Sequence, residues 1–271
     1  MRLPKLIETL TRTPLLMTPG SVDSILSLLN STHEFRAARE GVDYCGDAVD
    51  LEKMTFEDGL AIIPVKGPLG IGLDKFEKGA GATDYADIMA DIAAANENPA
   101  VENILLYMDT PGGMMGGLPE CADAISGSEK PVYCFVPPGG TVASAGMWLA
   151  ACCAGRFLSP SAQAGSIGVY CAYTDMSERA ASMGIKIKVF SSGTYKGMGV
   201  PGTALTADQE DFLQNSVLEL AQEFYDHIRA NLGNVPDEAM QGQMFRAAEA
   251  VNIGFADDIV KSLDDLKTFL G

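Results

Sequence analysis

From residue 59 onward the chain alternates short, nearly uninterrupted apolar runs with stretches of helical period, and few architectures accept that pattern. Leu60 to Val65 reads as a strand that Lys66-Gly67-Pro68 ends. Asp84 can cap a helix over Tyr85 to Ala95, with Ile88, Ile92 and Ala95 on one face. Ile104 to Met108 is a second apolar strand, stopped by Asp109-Thr110-Pro111-Gly112-Gly113, and a helix follows over about Leu118 to Ile125. Val132 to Val136 reads as a strand and Ala143 to Ala154 as a helix without a charge. Val169 to Ala172 and Ile185 to Phe190 are expected to be further strands. Thr206-Ala207-Asp208-Gln209 is a capping box that opens a long helix to about Leu232. Strands apolar on both faces are buried on both faces, so the pattern predicts an α/β domain around a buried sheet.

Residues 1 to about 55 lack this alternation and are expected to form an N-terminal arm; they hold one short amphipathic run, Val22 to Leu29. Residues 56–271 are then the folded domain, and a chain of 271 residues is long enough to bury a real core. The net charge of −17 argues against a nucleic-acid partner, which needs clustered Lys and Arg, and against an anionic membrane surface. The first residues contain no apolar run long enough for a signal-peptide core. Pro131 to Gly155 is long and uncharged, but Pro137-Pro138-Gly139-Gly140 breaks it, so no membrane span is expected. Met147 and Trp148 make this stretch more apolar than a monomer surface carries, so part of it is expected at a subunit contact. Six cysteines without a Cys-x-x-Cys pair read as reduced packing residues of a cytoplasmic protein.

Three segments carry candidate chemistry. In Thr141-Val142-Ala143-Ser144-Ala145-Gly146 a serine follows a glycine-rich turn at the start of a small-residue helix. Free backbone N–H groups there could stabilise an oxyanion beside the serine, although a serine so placed most often only caps the helix. Asp109 to Gly113 follows a buried strand, and its paired glycines let the backbone approach a ligand, although by itself it reads as a turn. A serine nucleophile needs a base. The two histidines, His33 and His227, both sit among charges and read as surface residues, so a Ser-His-Asp arrangement has little support. Lys196 differs from the other lysines. It stands in Gly193-Thr194-Tyr195-Lys196-Gly197, without a neighbouring charge, and an amine in an apolar, glycine-lined site can lose its proton near neutral pH.

Taken in order, Asp109 to Gly113, Ala143-Ser144-Ala145-Gly146, Ala164-Gly165-Ser166-Ile167-Gly168-Val169 and Tyr195-Lys196-Gly197 strongly resemble the signal peptide peptidase A family of Ser/Lys peptidases. Within it the phage prohead, or capsid maturation, proteases look closest. The likeness covers about residues 58–262, and Met244 to Asp257 matches the family's closing pattern. The resemblance implies Ser144 as nucleophile, Lys196 as general base and Ser166 as the residue that orients the lysine. It implies an oxyanion hole from the N–H groups of Gly113 and Ala145. The implied fold is α/β, a ClpP/crotonase-like superhelix of β-β-α units. The implied assembly is a ring-like homo-oligomer, which allows the dyad to be completed across subunits. Membrane-acting members carry an N-terminal anchor and tend to have a double glycine after the serine; this chain lacks the first and has Ala145-Gly146 at the second.

The expected function is therefore a serine endopeptidase acting on polypeptides, scaffold and capsid proteins during phage head assembly, in the host cytoplasm or the prohead. A bacterial signal-peptide or quality-control peptidase of the same chemistry is the alternative. The non-peptidase alternatives are a crotonase-like acyl-CoA enzyme and an inactive assembly module. The first needs basic residues for nucleotide phosphates and the second should have lost the Ser/Lys pair; the sequence shows neither. No cofactor or metal is expected.

Overall fold

The computed structural model describes residues 53–270 and, as backbone only, the strand β1, Leu15–Met17. The run Val22 to Leu29, His33 and Cys45 lie outside the described residues. The chain winds through repeated steps: one strand in a large sheet, one in a small sheet, then a helix. β2 (Thr55–Glu57) turns back antiparallel into β3 (Leu60–Lys66). β4 (Leu69–Gly70), α1 (Lys75–Gly79) and β5 (Thr83–Asp84) lead to α2 (Tyr85–Glu97). β6 (Asn103–Asp109), β7 (Gly112–Met114) and α3 (Leu118–Ser126) repeat the step. So do β8 (Val132–Val136), β9 (Thr141–Ala143) and α4 (Ala145–Ala151). β10 (Gly155–Leu158) and β11 (Gln163–Gly165) start a fourth step, and α5 (Ser177–Ser182) and the long α6 (Ala207–Leu232) follow. β12 (Met244–Arg246), α7 (Ala247–Ile253), β13 (Asp258–Ile259) and α8 (Leu263–Leu270) close the chain.

The large sheet has the order β13-β10-β8-β6-β3-β2, parallel apart from the β2 edge, and the small sheets run β1-β7-β4-β5 and β12-β11-β9. This is the superhelix of β-β-α units that the family resemblance implies. The period-two geometry of a strand divides the core into two layers. Ala61, Ile63, Ile104, Leu106, Cys134 and Val136 face the helices α2, α3 and α4, while Leu60, Ile62, Leu105, Tyr107 and Phe135 face Leu263 and Leu266 of α8. Capping agrees with the sequence. Asp84 accepts from the Ala86 N–H, and Thr206 and Gln209 form the capping box of α6. The cysteines in the described residues are free thiols. Burial pushes Cys121 and Cys134 up to about 12, which keeps them protonated and unreactive.

Three expectations need correction. The charge-free helix runs only from Ala145 to Ala151, because Ala143 belongs to β9 and Gly155 already to β10. The apolar stretch around it fills the chain's own core: Met147 is fully buried and Trp148 packs on Phe224 of α6 at 5.1 Å between ring centroids. Its lack of charge is thus explained by burial within the chain. Val169 to Ala172 holds only one bridged residue, Tyr170, and no full strand, and Ile185 to Phe190 is not a strand of the described structure. Ile185, Ile187 and Val189 alternate with lysines in the manner of a half-buried strand, but they pair with no strand among the described residues and all are exposed, Phe190 to 92%.

Candidate active site

The turn after β6 is tied to the strand that delivers Ser144. Thr110 is fully buried; its N–H donates to the Thr141 carbonyl at 2.7 Å and its carbonyl accepts from Ala143 N–H at 3.1 Å. The Thr110 hydroxyl donates to the Gly67 carbonyl at 2.6 Å and accepts from Gly112 N–H at 3.1 Å. The Asp109 carboxylate accepts from Thr141 N–H at 2.9 Å. These bonds hold β7, with Gly113, against the start of α4. Two glycines permit the fit. A Cβ on Gly113 would lie 2.0 Å from the Leu69 carbonyl oxygen, and one on Gly146 would lie 2.6 Å from Cγ2 of Thr110.

Ser144 ends β9 and precedes the first residue of α4. Its backbone has φ 55° and ψ −116°, a left-handed conformation that costs a non-glycine residue about 1–3 kcal/mol. Its N–H donates to the Gly165 carbonyl at 2.9 Å and its carbonyl accepts from Trp148 N–H at 3.1 Å, so the strain is over-determined by neighbours. The side chain caps nothing. Ser144 is completely buried, and its Oγ has no hydrogen-bond partner among the described residues. A buried hydroxyl left unpaired costs roughly 1–3 kcal/mol, and natural proteins keep such groups for a reason. This answers the question the sequence left open: the serine is not there as a helix cap.

Ser166 has the same backbone signature, φ 55°, and is nearly buried. Ala143 and Gly165 are register partners in the parallel pair β9–β11, so Ser144 and Ser166 are the next residues on adjacent strands. Ser166 N–H donates to the Gln243 carbonyl at 2.6 Å. Gly113, Ser144, Ala145 and Ser166 are thereby gathered where the small sheets meet α4. The anchoring roles of Thr110, Gly165 and Gln243 were not anticipated; the places of Thr110 and Gly165 inside the family motifs could have drawn attention to those two, and Gln243 carries no such signal.

Lys196 is placed differently. It lies in the turn Thr194 to Gly199, exposed, and its Nζ has no hydrogen bond or ion pair among the described residues. The turn is docked on α6: Gln209 Nε2 donates to the Thr194 carbonyl at 2.7 Å and Tyr195 stacks on Phe212 at 4.8 Å. The Ser191 hydroxyl donates to the Lys196 carbonyl. Beside this contact lies a cleft of about 380 Å³, lined by Cys171, Tyr173, Met198, Val200 and Leu205 and by Leu213 of α6. His227 does not serve Ser144. Its ring stacks on Trp148 at 4.3 Å, and Nε2 donates to the Trp148 carbonyl at 2.9 Å. Among the described residues no cluster of His, Cys, Asp or Glu could hold a metal, and no helix is long and apolar enough to cross a membrane.

The family model of peptidase family S49 matches residues 124–269, which is more than half of the chain and includes Ser144, Ser166 and Lys196. The chain belongs to peptidase family S49. This S49 chain is 32% identical over 211 residues to the capsid assembly protease C of Escherichia phage lambda, covering 76% of the chain and 48% of that protein. It is 28% identical to the head-tail preconnector protein GP5 of Enterobacteria phage P21, covering 76% of the chain and 42% of that protein. The chain thus spans about half the length of these curated relatives. Among solved structures it is similar to a ClpP1 variant from Listeria monocytogenes, with a TM-score of 0.49 and 12% identity over 76% of the chain and 94% of that one.

Proposed function

We propose that the chain is a serine endopeptidase in which Ser144 is the nucleophile and Lys196 the general base. The observation that carries this reading is the Ser144 hydroxyl: buried, without a hydrogen-bond partner among the described residues, and held in a strained conformation beside Ser166. The neutral amine of Lys196 takes the Oγ proton as Oγ attacks the peptide carbonyl. The N–H groups of Gly113 and Ala145 receive the oxyanion. The ammonium then returns its proton to the leaving amine, and water releases the acyl group from Ser144. Ser166 acts as a positioning residue for the lysine.

The base is supplied on assembly. Lys196 is exposed in the single chain, and around it Ile185, Val189, Phe190, Tyr195 and Phe212 expose apolar surface. A ring of copies would cover this face, and burial of an amine in apolar surroundings favours its neutral form. The proposed substrates are scaffold and capsid proteins during phage head maturation, a reading supported by the likeness to the lambda capsid assembly protease. The test is a fluorophosphonate probe and a peptide-cleavage assay on wild type and Ser144→Ala. Wild type should be labelled at Ser144 and should cleave; a folded Ser144→Ala protein with wild-type turnover would overturn the assignment.

A further inference from the structure

β7 has two edges. One pairs in parallel with β4, Leu69 opposite Gly113. The other would be the open margin of its sheet, but β1 closes it, antiparallel, with Leu15 opposite Met114, Leu16 opposite Gly113 and Met17 opposite Gly112. An open strand edge presents unpaired N–H and C=O groups and recruits any extended chain, whatever its side chains. This edge runs along Gly113, and β7 packs on α4, the helix that begins directly after Ser144. A polypeptide held extended at that serine and the segment Leu15–Met17 therefore compete for the same backbone groups.

The segment is also built to pair briefly. Pro14 and Pro19 flank it, and proline has no N–H to donate to a ladder. A chain without prolines can pair over a longer stretch and so displace it.

We propose that the chain's own Leu15–Met17, paired on the outer edge of β7, is an intramolecular competitor of the extended polypeptide substrate. This rests on the peptidase reading of Ser144. In the full-length protein, Leu16→Pro removes an N–H in the middle of the segment and should release the edge. An occupant that holds the site nine-tenths of the time raises the apparent KM about ten-fold. Leu16→Pro should then lower KM for a quenched fluorescent peptide about ten-fold while kcat stays unchanged. The octapeptide Arg-Thr-Pro-Leu-Leu-Met-Thr-Pro, residues 12–19, should inhibit the variant more strongly than wild type. Unchanged KM in a natively folded Leu16→Pro protein would overturn the proposal while leaving the nucleophile assignment intact. If Leu16→Pro does not fold, or if wild type cleaves nothing and the peptidase reading fails, hydrogen exchange on full-length Ser144→Ala decides. Added substrate peptide should expose the Leu15–Met17 amides and keep Gly112–Met114 protected. A bound peptide that leaves the Leu15–Met17 amides protected would refute intramolecular occupancy.

Discussion

Ser144 and Lys196 stand in two differently built parts of the molecule. Around Ser144 the backbone of β9, β11, the Thr110 turn and α4 is buried and cross-bonded, and the C-terminal half of α6 packs on it through Ala221, Phe224 and Ile228. Around Lys196, residues 171–205 are largely irregular, and the N-terminal half of α6 beneath them exposes Phe212 and Leu218. The surroundings of Ser144 are finished within one chain, whereas the apolar surroundings of Lys196 still face outward. Two parts of one α/β chain can thus differ in whether their apolar surface has been covered, and the proposed assembly puts the missing cover on the lysine side.

The largest effect should come from the lysine itself. Lys196→Arg keeps the charge but not the ability to lose a proton, since guanidinium stays protonated in proteins. Lys196→Met keeps the length only. Both variants should fall to background in the peptide assay, level with Ser144→Ala, and both should fold, because Nζ makes no contact that folding depends on. Activity in the arginine variant would mean that the residue supplies only charge, and the contrast between a finished nucleophile and an unfinished base would dissolve. Ser166→Ala should slow turnover by about ten- to a hundred-fold, at or below the low end of general-base effects. No change would make Ser166 purely structural.

Stability should separate the two parts as well. Gly146→Ala puts a Cβ 2.6 Å from Thr110 Cγ2, in a side chain whose hydroxyl is already fixed by two hydrogen bonds. Overpacking of this kind costs about 1–3 kcal/mol. On the lysine side a Cβ on Gly193 meets nothing within 4 Å, so Gly193→Ala should change stability by less than about 0.5 kcal/mol. Chemical denaturation of the two variants measures both; equal losses would show that the lysine segment is as tightly packed as the serine turn.

The same division governs what the sequence made legible. Strands β3, β6 and β8 and helices α2, α3 and α6 are readable because their periodicity is enforced by burial in the chain's own core. Ile185 to Phe190 carries strand periodicity too, but it pairs with no strand among the described residues, so local pattern and local structure part company. The uncharged stretch around Trp148 misled in the opposite sense, because composition reports that a surface is covered and not which chain covers it. At the site, Ser144 was visible only through the order of four motifs. Its decisive feature, a left-handed backbone whose hydroxyl is unpaired among the described residues, is held by the bond from Ser144 N–H to the Gly165 carbonyl on the adjacent strand, which no local pattern encodes. The strand pairing of Leu15–Met17 was likewise invisible, since the arm shows no alternating pattern.

The smallest predicted effect concerns His227, which lies on the serine side. Burial against Trp148 holds its imidazole below the ordinary value of 6.5, partly offset by the bond to the Trp148 carbonyl and by the charge of Asp123. The carbonyl can only accept, so Nε2 carries a proton; the 3.6 Å neighbour Cys152 Sγ is itself kept protonated by burial. The folded state therefore resists taking up the second proton. Well above pH 6.5 the ring is neutral whether folded or unfolded, and it adds no pH dependence. As the pH falls through that value, the unfolded chain gains a proton that the folded chain refuses, so stability declines until the lower folded value is passed. His227→Gln retains an N–H donor without a titration. Its stability should fall less steeply than wild type between about pH 7 and pH 5, by no more than the roughly 1.4 kcal/mol per pH unit that a single proton allows. Urea melts across that range supply the comparison. Parallel curves would mean that His227 titrates freely, and that the packing of α6 on α4 is looser than the stacked ring implies.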